Sequence, residues 1–240
     1  MTKREPITIL HVYPDLLNLY GDGGNVRILE RRLAWRGIPV EVKEVHYGEP
    51  LDLSQADIVF LGGGPDREQK LACEELMKHR EELVRYVEND GVLLAICGGY
   101  QILGRQWLLG DDLVEGLDIL DMETRRPGTS ADRLVGNIVL ESPLAETPVV
   151  GYENHAGRTY LDQGVQPFGK VISHTGYGNN ENDKADGVLY RNVVGTYLHG
   201  PLLAKNPQLA DHILQKALGD EPLSPLNDDP ENTANTFMRS

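Results

Sequence analysis

Short apolar runs alternate with longer amphipathic stretches through the first half of the chain. The runs at 7–13, 57–61 and 92–96 are mostly apolar, which is typical of strands buried on both faces of a parallel sheet. Apolar residues at helical spacing follow the first run, from Asn25, and the second run, over 67–87. This alternation predicts an α/β fold in which helices cover both faces of a mostly parallel sheet.

The second half of the chain has shorter segments and more turns. Residues 133–140 and 148–152 have the pattern of short strands without helices between them, so we expect antiparallel strands added to the same sheet. A hairpin is predicted over 187–198, followed by a last helix over 207–218. The predicted architecture is thus a mostly parallel sheet extended by antiparallel strands.

Length and local composition set the domain boundaries. At 240 residues the chain fits one large domain, which we place at 1–220. Residues 221–240 are rich in Pro, Asn, Asp and Ser, so a flexible C-terminal tail is predicted there. No internal repeat divides the domain further.

Charge and cysteine content narrow the class of protein. The formal net charge of −14 argues against binding to nucleic-acid phosphates. No window approaches the ~18 consecutive apolar residues of a membrane-spanning helix. With two cysteines, Cys73 and Cys97, a disulfide scaffold is excluded and the reducing cytosol is favoured. We therefore expect a cytoplasmic protein that neither binds nucleic acid nor spans a membrane.

Cys97 stands where a buried strand is followed at once by a turn. The apolar run 92–96 ends at this cysteine, two glycines follow, and a new apolar pattern over 102–107 has helical spacing. A strand, a sharp turn and a helix with a nucleophile on the turn form a nucleophile elbow. There the backbone N–H of Gly98 points to the space before the sulfur, and the helix N-terminus favours the thiolate. A lone cysteine after an apolar strand is more often a buried small hydrophobe, so other motifs must support this interpretation.

Two further motifs stand at predicted strand ends. Glycines occupy 62–64 directly after one buried strand, and His199 follows the predicted hairpin. The carboxyl ends of parallel strands share one crevice, so both motifs can face Cys97. A glycine N–H can stabilise an oxyanion together with Gly98, and an imidazole beside a thiol can move a proton to a leaving amine. Taken singly, each motif has a commoner structural explanation, a tight turn or a structural histidine.

In this order, a glycine-rich loop, a cysteine elbow and a late histidine resemble the motifs of class I (Triad-type) glutamine amidotransferases. The segment 198–201, Leu-His-Gly-Pro, resembles the CobB/CobQ-like branch of that class. Within the branch, the chain is similar to the glutaminase subunits of lipid II isoglutaminyl synthases over about residues 7–218. The stretches that carry this similarity are 19–25, 62–69, 95–101, 151–159 and 176–180.

The resemblance implies a role for each catalytic position. Cys97 would attack the side-chain amide of L-glutamine and form a γ-glutamyl thioester. His199 would protonate the departing ammonia and then activate the water that releases glutamate. Backbone N–H groups of Gly98 and of Gly63 or Gly64 would stabilise the oxyanion.

The resemblance also implies how substrate and partner are bound. Gln101, one helical turn from the nucleophile, would orient the substrate, and Arg133 would hold the glutamine carboxylate. No cofactor or metal is expected in this chain. ATP and Mg²⁺ are expected on a Mur-ligase-like synthetase subunit, which would form a heterodimer with this one. That partner would use the ammonia to amidate D-glutamate of lipid II to D-isoglutamine.

One position departs from the pattern of the class. Class I enzymes commonly carry an acid two residues after the histidine, and here that residue is Pro201. We therefore expect a Cys97–His199 dyad, with any third group supplied by another loop or by the partner. Two alternatives are the amidotransferase part of a corrinoid amidating enzyme and a non-catalytic binding module that keeps the fold. The first needs a fused synthetase domain, for which 240 residues leave no room.

Overall fold

The computed structural model of the protein describes residues 5–109, 112–127 and 133–239. Its largest sheet has six strands. Numbered along the chain, its strands are β1 (Ile7–Val12), β2 (Val40–Val45), β3 (Ile58–Leu61), β4 (Val92–Ile96), β13 (Val188–Tyr190) and β14 (Val193–Thr196). They lie in the order β13-β14-β4-β3-β1-β2, and every neighbouring pair except β13–β14 is parallel. The predicted α/β fold with a mostly parallel sheet is confirmed.

The central strands are buried along their whole length. All residues of β1, β3 and β4 are buried, whereas the edge strand β2 is mostly half-buried or exposed. A strand that is paired on both sides and packed on both faces has no position for a polar side chain that needs water. Burial on both faces explains why three short apolar runs in the sequence were enough to locate the sheet. It also makes the ends of these strands rigid.

Two four-stranded sheets are formed by residues 106–186. The strands of the first are β5 (Gln106–Leu109), β6 (Asp112–Glu115), β7 (Met122–Arg125) and β10 (Arg158–Leu161), in the order β10-β7-β5-β6. The strands of the second are β8 (Leu134–Glu141), β9 (Val149–His155), β11 (Gly169–Val171) and β12 (Ala185–Asp186), in the order β12-β11-β8-β9.

The prediction that residues 133–140 and 148–152 extend the main sheet is wrong. These segments form β8 and β9, which pair with each other in antiparallel register from Leu134–His155 to Leu140–Val149. The edge beside β14 is taken by its own hairpin partner β13, as the sequence predicted. Strand β9 instead meets the end of the main sheet through paired backbone hydrogen bonds between Tyr152 and His199, of 3.3 and 2.8 Å.

The described ranges contain six α-helices, of which four lie between strands and two follow the last strand. They are α1 (Gly24–Trp35), α2 (Asp66–Met77), α3 (Arg80–Glu88), α4 (Gly98–Ile102), α5 (Pro207–Ala217) and α6 (Asp229–Arg239). Within the described ranges, none of the helices has the length and apolar character needed to cross a lipid bilayer.

Two helix predictions need correction. The helix expected over 67–87 is two helices, because tight backbone bonds from Lys78 to Glu75 and from His79 to Leu76 end α2. The apolar period could not reveal this break, since the pattern continues in phase on both sides. The pattern after Cys97 is helical only as far as Ile102, and the residues from Gln106 onward form β5.

Residues 229–239 correct the prediction of a flexible tail. They form helix α6, and its buried Asn235 donates from Nδ2 to the carbonyls of Pro148 and Lys205, both at 3.0 Å. Just before the helix, Asp228 accepts from Arg32 Nη1 at 2.7 Å, while Asp211 binds the other side of the same guanidinium. Arg32 is 1% exposed, so two carboxylates compensate its buried charge. Polar composition misled the prediction because the helix docks through polar side chains.

Replacing Asp228 with alanine is expected to lower the free energy of unfolding by about 1–3 kcal/mol, because the buried Arg32 loses one of its carboxylates. Residues 229–239 should also become more sensitive to limited proteolysis. Urea unfolding gives the first quantity, and Asp162→Ala is the control because its pair with Arg105 is exposed. Equal losses in the two variants would show that the Arg32 pair does not anchor α6.

Candidate active site

Four loops converge at the carboxyl ends of the parallel strands. Parallel register places Leu61 beside Ala95 and Thr196 beside Ile96, so the residues that follow these strands lie side by side. Cys97 follows β4, the glycines at 62–64 follow β3, and His199 follows β14. The loop after β1 completes the group with the segment 18–25. The sequence therefore brings its candidate residues to one edge of the sheet.

Cys97 lies on a strained turn between β4 and α4. Its backbone has φ 50° and ψ −104°, a conformation that side-chain-bearing residues rarely adopt. The turn is held by a hydrogen bond from Cys97 N–H to Thr196 O at 2.8 Å and another from Gln101 N–H to Cys97 O at 2.9 Å. The residue is 8% exposed. This is the geometry of a nucleophile elbow, with the sulfur at the N-terminal end of a helix.

His199 is held by a carboxylate from the same chain. Its Nδ1 lies 2.9 Å from Asp22 Oδ1, and both side chains are fully buried. Its Nε2 is buried and forms no hydrogen bond of normal geometry with any described residue. An ideal Cβ built on Gly63 would lie 3.1 Å from His199 Cε1 and 3.2 Å from Cys97 Cβ. The thiol and the imidazole thus border the same small space, with Nε2 free for proton transfer.

Electrostatics favour the protonated form of His199. Burial alone lowers its pKa, but the negative charge of Cys97 and the hydrogen bond to Asp22 outweigh burial and raise that pKa to about 10. A raised pKa means that the imidazolium persists at neutral pH and is lost only as the pH rises through this value. His199 can therefore carry the proton that a departing group needs.

The three glycines differ in what their N–H groups can do. Gly63 N–H donates to Asp22 Oδ2 at 2.9 Å, so it orients the carboxylate that holds His199. Gly64 N lies 3.2 Å from the position that a Cβ of Gly98 would occupy. Neither Gly64 nor Gly98 donates its N–H to an acceptor in the described part of the chain. Of the predicted oxyanion donors, Gly64 and Gly98 remain available and Gly63 does not.

Gln101 lies in a buried chain of side-chain hydrogen bonds. Its Oε1 accepts from Gln69 Nε2 and its Nε2 donates to Tyr197 OH, both at 2.9 Å. Gln69 Oε1 in turn lies 2.9 Å from the ideal Cβ position of Gly98. Because both ends of the Gln101 amide are engaged, the structure places it behind the nucleophile turn, where it fixes α4.

Arg133 lies at the rim of the site and is exposed. Its Nε donates to Asn154 Oδ1 and its Nη2 to Asn154 O, each at 2.6 Å. Asn154 Nδ2 donates to Tyr20 OH at 2.7 Å, and the Tyr20 ring packs edge-on against the His199 imidazole at 4.9 Å between centroids. Arg133, the predicted carboxylate-binding residue, is thus connected to His199 through the side chains of Asn154 and Tyr20.

Sequence reasoning missed Asp22 as a member of the site. Asp22 lies in the glycine-containing loop at the end of the first parallel strand, and the position of this loop is the signal that points to it. Pro201, which replaces the acid usual in the class, packs against the same loop. A Cβ on Gly24 would lie 2.2 Å from Pro201 Cγ. The chain therefore supplies its carboxylate from the first strand's loop.

The arrangement has the components of nucleophilic acyl transfer. It combines a thiol, an imidazole oriented by a carboxylate, and two unengaged backbone N–H donors. Among the residues that the structure describes, no group of three or more His, Cys, Asp or Glu side chains is placed to hold a metal ion.

Comparison with solved structures shows which fold the chain has. A crystal structure of a glutamine amidotransferase matches this chain with a TM-score of 0.57 at 21% identity, covering 87% of this chain and 98% of that one. The fold is that of the class I glutamine amidotransferases.

The sequence defines the family within that class. The model of the CobB/CobQ-like glutamine amidotransferase domain matches residues 8–207, and the chain belongs to this family. The GatD subunit of the glutamine-hydrolysing lipid II isoglutaminyl synthase of Staphylococcus aureus (strain N315) is 46% identical over 212 residues, covering 88% of this chain and 84% of the relative. GatD of Streptococcus pneumoniae (strain ATCC BAA-255 / R6) is 38% identical over 213 residues, covering 88% and 80%.

Proposed function

We propose that this chain is the glutaminase subunit of a lipid II isoglutaminyl synthase, which hydrolyses L-glutamine and passes ammonia to a synthetase subunit. Two relatives that carry this name align with 88% of the chain. The observation that carries the chemistry is Cys97 on its strained turn, facing an imidazole whose Nδ1 is held by Asp22 at 2.9 Å.

The first half of the reaction forms a thioester. The Cys97 thiolate attacks the γ-carbonyl carbon of glutamine, and the carbonyl π-electrons move to oxygen. The N–H groups of Gly64 and Gly98 stabilise this oxyanion. When the carbonyl re-forms, the C–N bond breaks, and His199 Nε2 gives its proton to the departing nitrogen. The products are ammonia and a γ-glutamyl thioester.

The second half regenerates the enzyme. His199, now neutral, takes a proton from water, and the hydroxide attacks the thioester carbon. The same N–H groups stabilise the second oxyanion, and the C–S bond breaks to release glutamate and the Cys97 thiolate. Asp22 fixes the tautomer and the orientation of His199 in both halves of the reaction.

Substrate positioning is divided between two groups. Arg133 presents guanidinium N–H groups that are not used by Asn154, and it binds the α-carboxylate of glutamine. Gln101 acts through α4, since its amide is bound at both ends by Gln69 and Tyr197. It is a positioning residue in this proposal, rather than a direct ligand of the substrate.

The ammonia is consumed by a partner subunit. We propose a Mur-ligase-like synthetase that binds ATP and Mg²⁺, activates the α-carboxyl of D-glutamate in lipid II, and forms D-isoglutamine. The two chains form a heterodimer, and the lipid-linked substrate is reached through the synthetase. Because Asp22 completes the cysteine–histidine pair within this chain, the partner need not supply a catalytic acid.

Glutamine labelled with ¹⁵N at the side-chain amide tests this proposal. The chain co-expressed with the synthetase should release glutamate and transfer ¹⁵N to lipid II, measured by mass spectrometry. Cys97→Ser serves as the inactive variant. Cys73→Ser is the matched control, because Cys73 is also buried and lies in α2 away from the site.

The outcomes of this experiment distinguish a glutaminase from a non-catalytic binding module. Turnover that is lost in Cys97→Ser and kept in Cys73→Ser supports the proposal. Glutamate release without the synthetase would keep the chemistry and show that the site is complete in this chain. The absence of both glutamate and labelled lipid II from the wild-type complex would reject the proposal and favour a binding module.

A further inference from the structure

We propose that Tyr20 is a positioning residue that couples recognition of the substrate carboxylate at Arg133 to the placement of His199. This inference rests on the proposed glutaminase function and extends it to a residue that lies outside the reacting atoms. It is carried by one continuous set of contacts, from the rim of the site to the buried imidazole.

The Tyr20 backbone adopts a conformation that tyrosine does not favour. Its φ of 57° and ψ of 18° lie in the left-handed region, where glycine is accommodated without strain. Two bonds hold the loop in place, from Leu19 N–H to Gly63 O at 2.8 Å and from Gly23 N–H to Asn18 Oδ1 at 2.9 Å. What tyrosine contributes at this position is therefore its ring and its hydroxyl group.

The Tyr20 ring packs against the His199 imidazole in a T-shaped contact. Its plane makes an angle of 68° with the His199 imidazole, with centroids 4.9 Å apart. Asp22 holds Nδ1 of the same imidazole and belongs to the same loop, two residues after Tyr20. One loop thus restrains His199 by a hydrogen bond at its edge and by an aromatic ring packed against it.

The hydroxyl group connects the ring to the rim. Tyr20 OH accepts from Asn154 Nδ2 at 2.7 Å, and Asn154 accepts from Arg133 through both its side chain and its backbone. Tyr20 is 45% exposed, so its orientation depends on this bond more than on burial. A carboxylate bound to Arg133 fixes the guanidinium, and with it Asn154 and the Tyr20 ring over His199.

Tyr20→Phe and Tyr20→Ala separate the two contributions. Removing the hydroxyl alone should raise KM for glutamine about three- to tenfold, the range of one lost hydrogen bond, while kcat changes less than about twofold. Removing the ring as well should also lower kcat, by about tenfold or more, because His199 loses a restraint. A purely structural role would instead lower the melting temperature and move kcat in both variants.

Asn154→Ala and the Tyr20→Phe/Asn154→Ala double variant test the connection itself. If both residues act through one hydrogen bond, the double variant should have the KM of Asn154→Ala alone. Tyr47→Phe is the matched control, since Tyr47 is 44% exposed and its ring contacts Tyr13 instead of the histidine. The inference would be overturned if the KM increases of the two single variants multiplied in the double variant. It would also be overturned if Tyr20→Phe had the same KM and kcat as Tyr47→Phe.

Glutamine binding to the Cys97→Ser chain, measured by calorimetry, separates this inference from the proposed function. Binding that weakens about three- to tenfold on adding Tyr20→Phe supports it without any turnover. Glutamine binding that is unchanged by Tyr20→Phe would reject the role of Tyr20 and leave the glutaminase proposal standing. No glutamine binding to Cys97→Ser together with no turnover by the wild-type complex would reject both.

Discussion

Replacing Asp22 with asparagine is expected to lower kcat for glutamine hydrolysis by about two to four orders of magnitude, with the fold intact. The amide keeps the size of the side chain and can still accept from Gly63 N–H. It carries no charge, however, and it can turn its NH₂ group toward His199 Nδ1, which then favours the wrong tautomer. Ammonia release by the complex with the synthetase is the measurement.

The same variant has a predictable pH dependence. Cys97, Asp22 and the Tyr20 ring surround His199, and the two negatively charged groups raise its pKa to about 10 despite burial. Activity that needs the imidazolium is therefore lost as the pH rises through that value. Removing the Asp22 charge lowers the pKa, so the alkaline limb of the pH–rate profile should move to lower pH.

Asp162→Asn is the control for Asp22→Asn, because Asp162 forms an exposed pair with Arg105. Its kcat should equal that of the wild type. If the complex with Asp22→Asn retained full activity, Asp22 would not be the catalytic carboxylate, and a carboxylate from the partner would become the better explanation.

Gly24→Ala is expected to reduce turnover about ten- to hundredfold and to lower the melting temperature by several degrees. The added Cβ would lie 2.2 Å from Pro201 Cγ, a distance that no side chain tolerates. Either the loop that carries Asp22 or the loop after His199 must then move. Asp22 Oδ1 and His199 Nδ1 are 2.9 Å apart, so movement of either loop separates the carboxylate from the imidazole.

A second substitution at Pro201 tests that explanation. In Gly24→Ala/Pro201→Ala the ring carbon at 2.2 Å is gone and the nearest remaining atom, Cβ, lies at 3.0 Å, so activity should partly return. Gly21→Ala is the comparison variant without a steric clash. Apart from its chain neighbours, no atom lies within 4 Å of its Cβ position, although its φ is +74°. A double variant no more active than Gly24→Ala would show that the contact with Pro201 is not the cause.

The edge of the sheet that carries the candidate site was predictable because it depends on local signals. Apolar runs located β1, β3 and β4, and the residues just after each run had to meet at one edge. Cys97 and His199 follow directly from this rule. The same rule points to the loop after β1, but that loop holds two carboxylates, Asp15 and Asp22, and nothing in the sequence shows which of them turns inward.

The remaining differences come from tertiary contacts that no local pattern contains. Strands β8 and β9 alternate apolar and polar residues in a way that fits any antiparallel sheet, and only their long mutual register excludes them from the main one. The segment 221–240 looked unstructured because its anchors are polar. Asp228 and Asn235 bind Arg32 and backbone carbonyls that are distant in the sequence.

The docking of α6 also sets the timing of assembly during synthesis. This helix contacts β9 and the turn at Leu202–Lys205, which continues directly from the loop that bears His199. It is the last described element to leave the ribosome, so the buried contacts of Asn235 form only after Cys97 and His199 have been made. A nascent chain therefore carries Cys97 and His199 with the support beneath the histidine loop still missing.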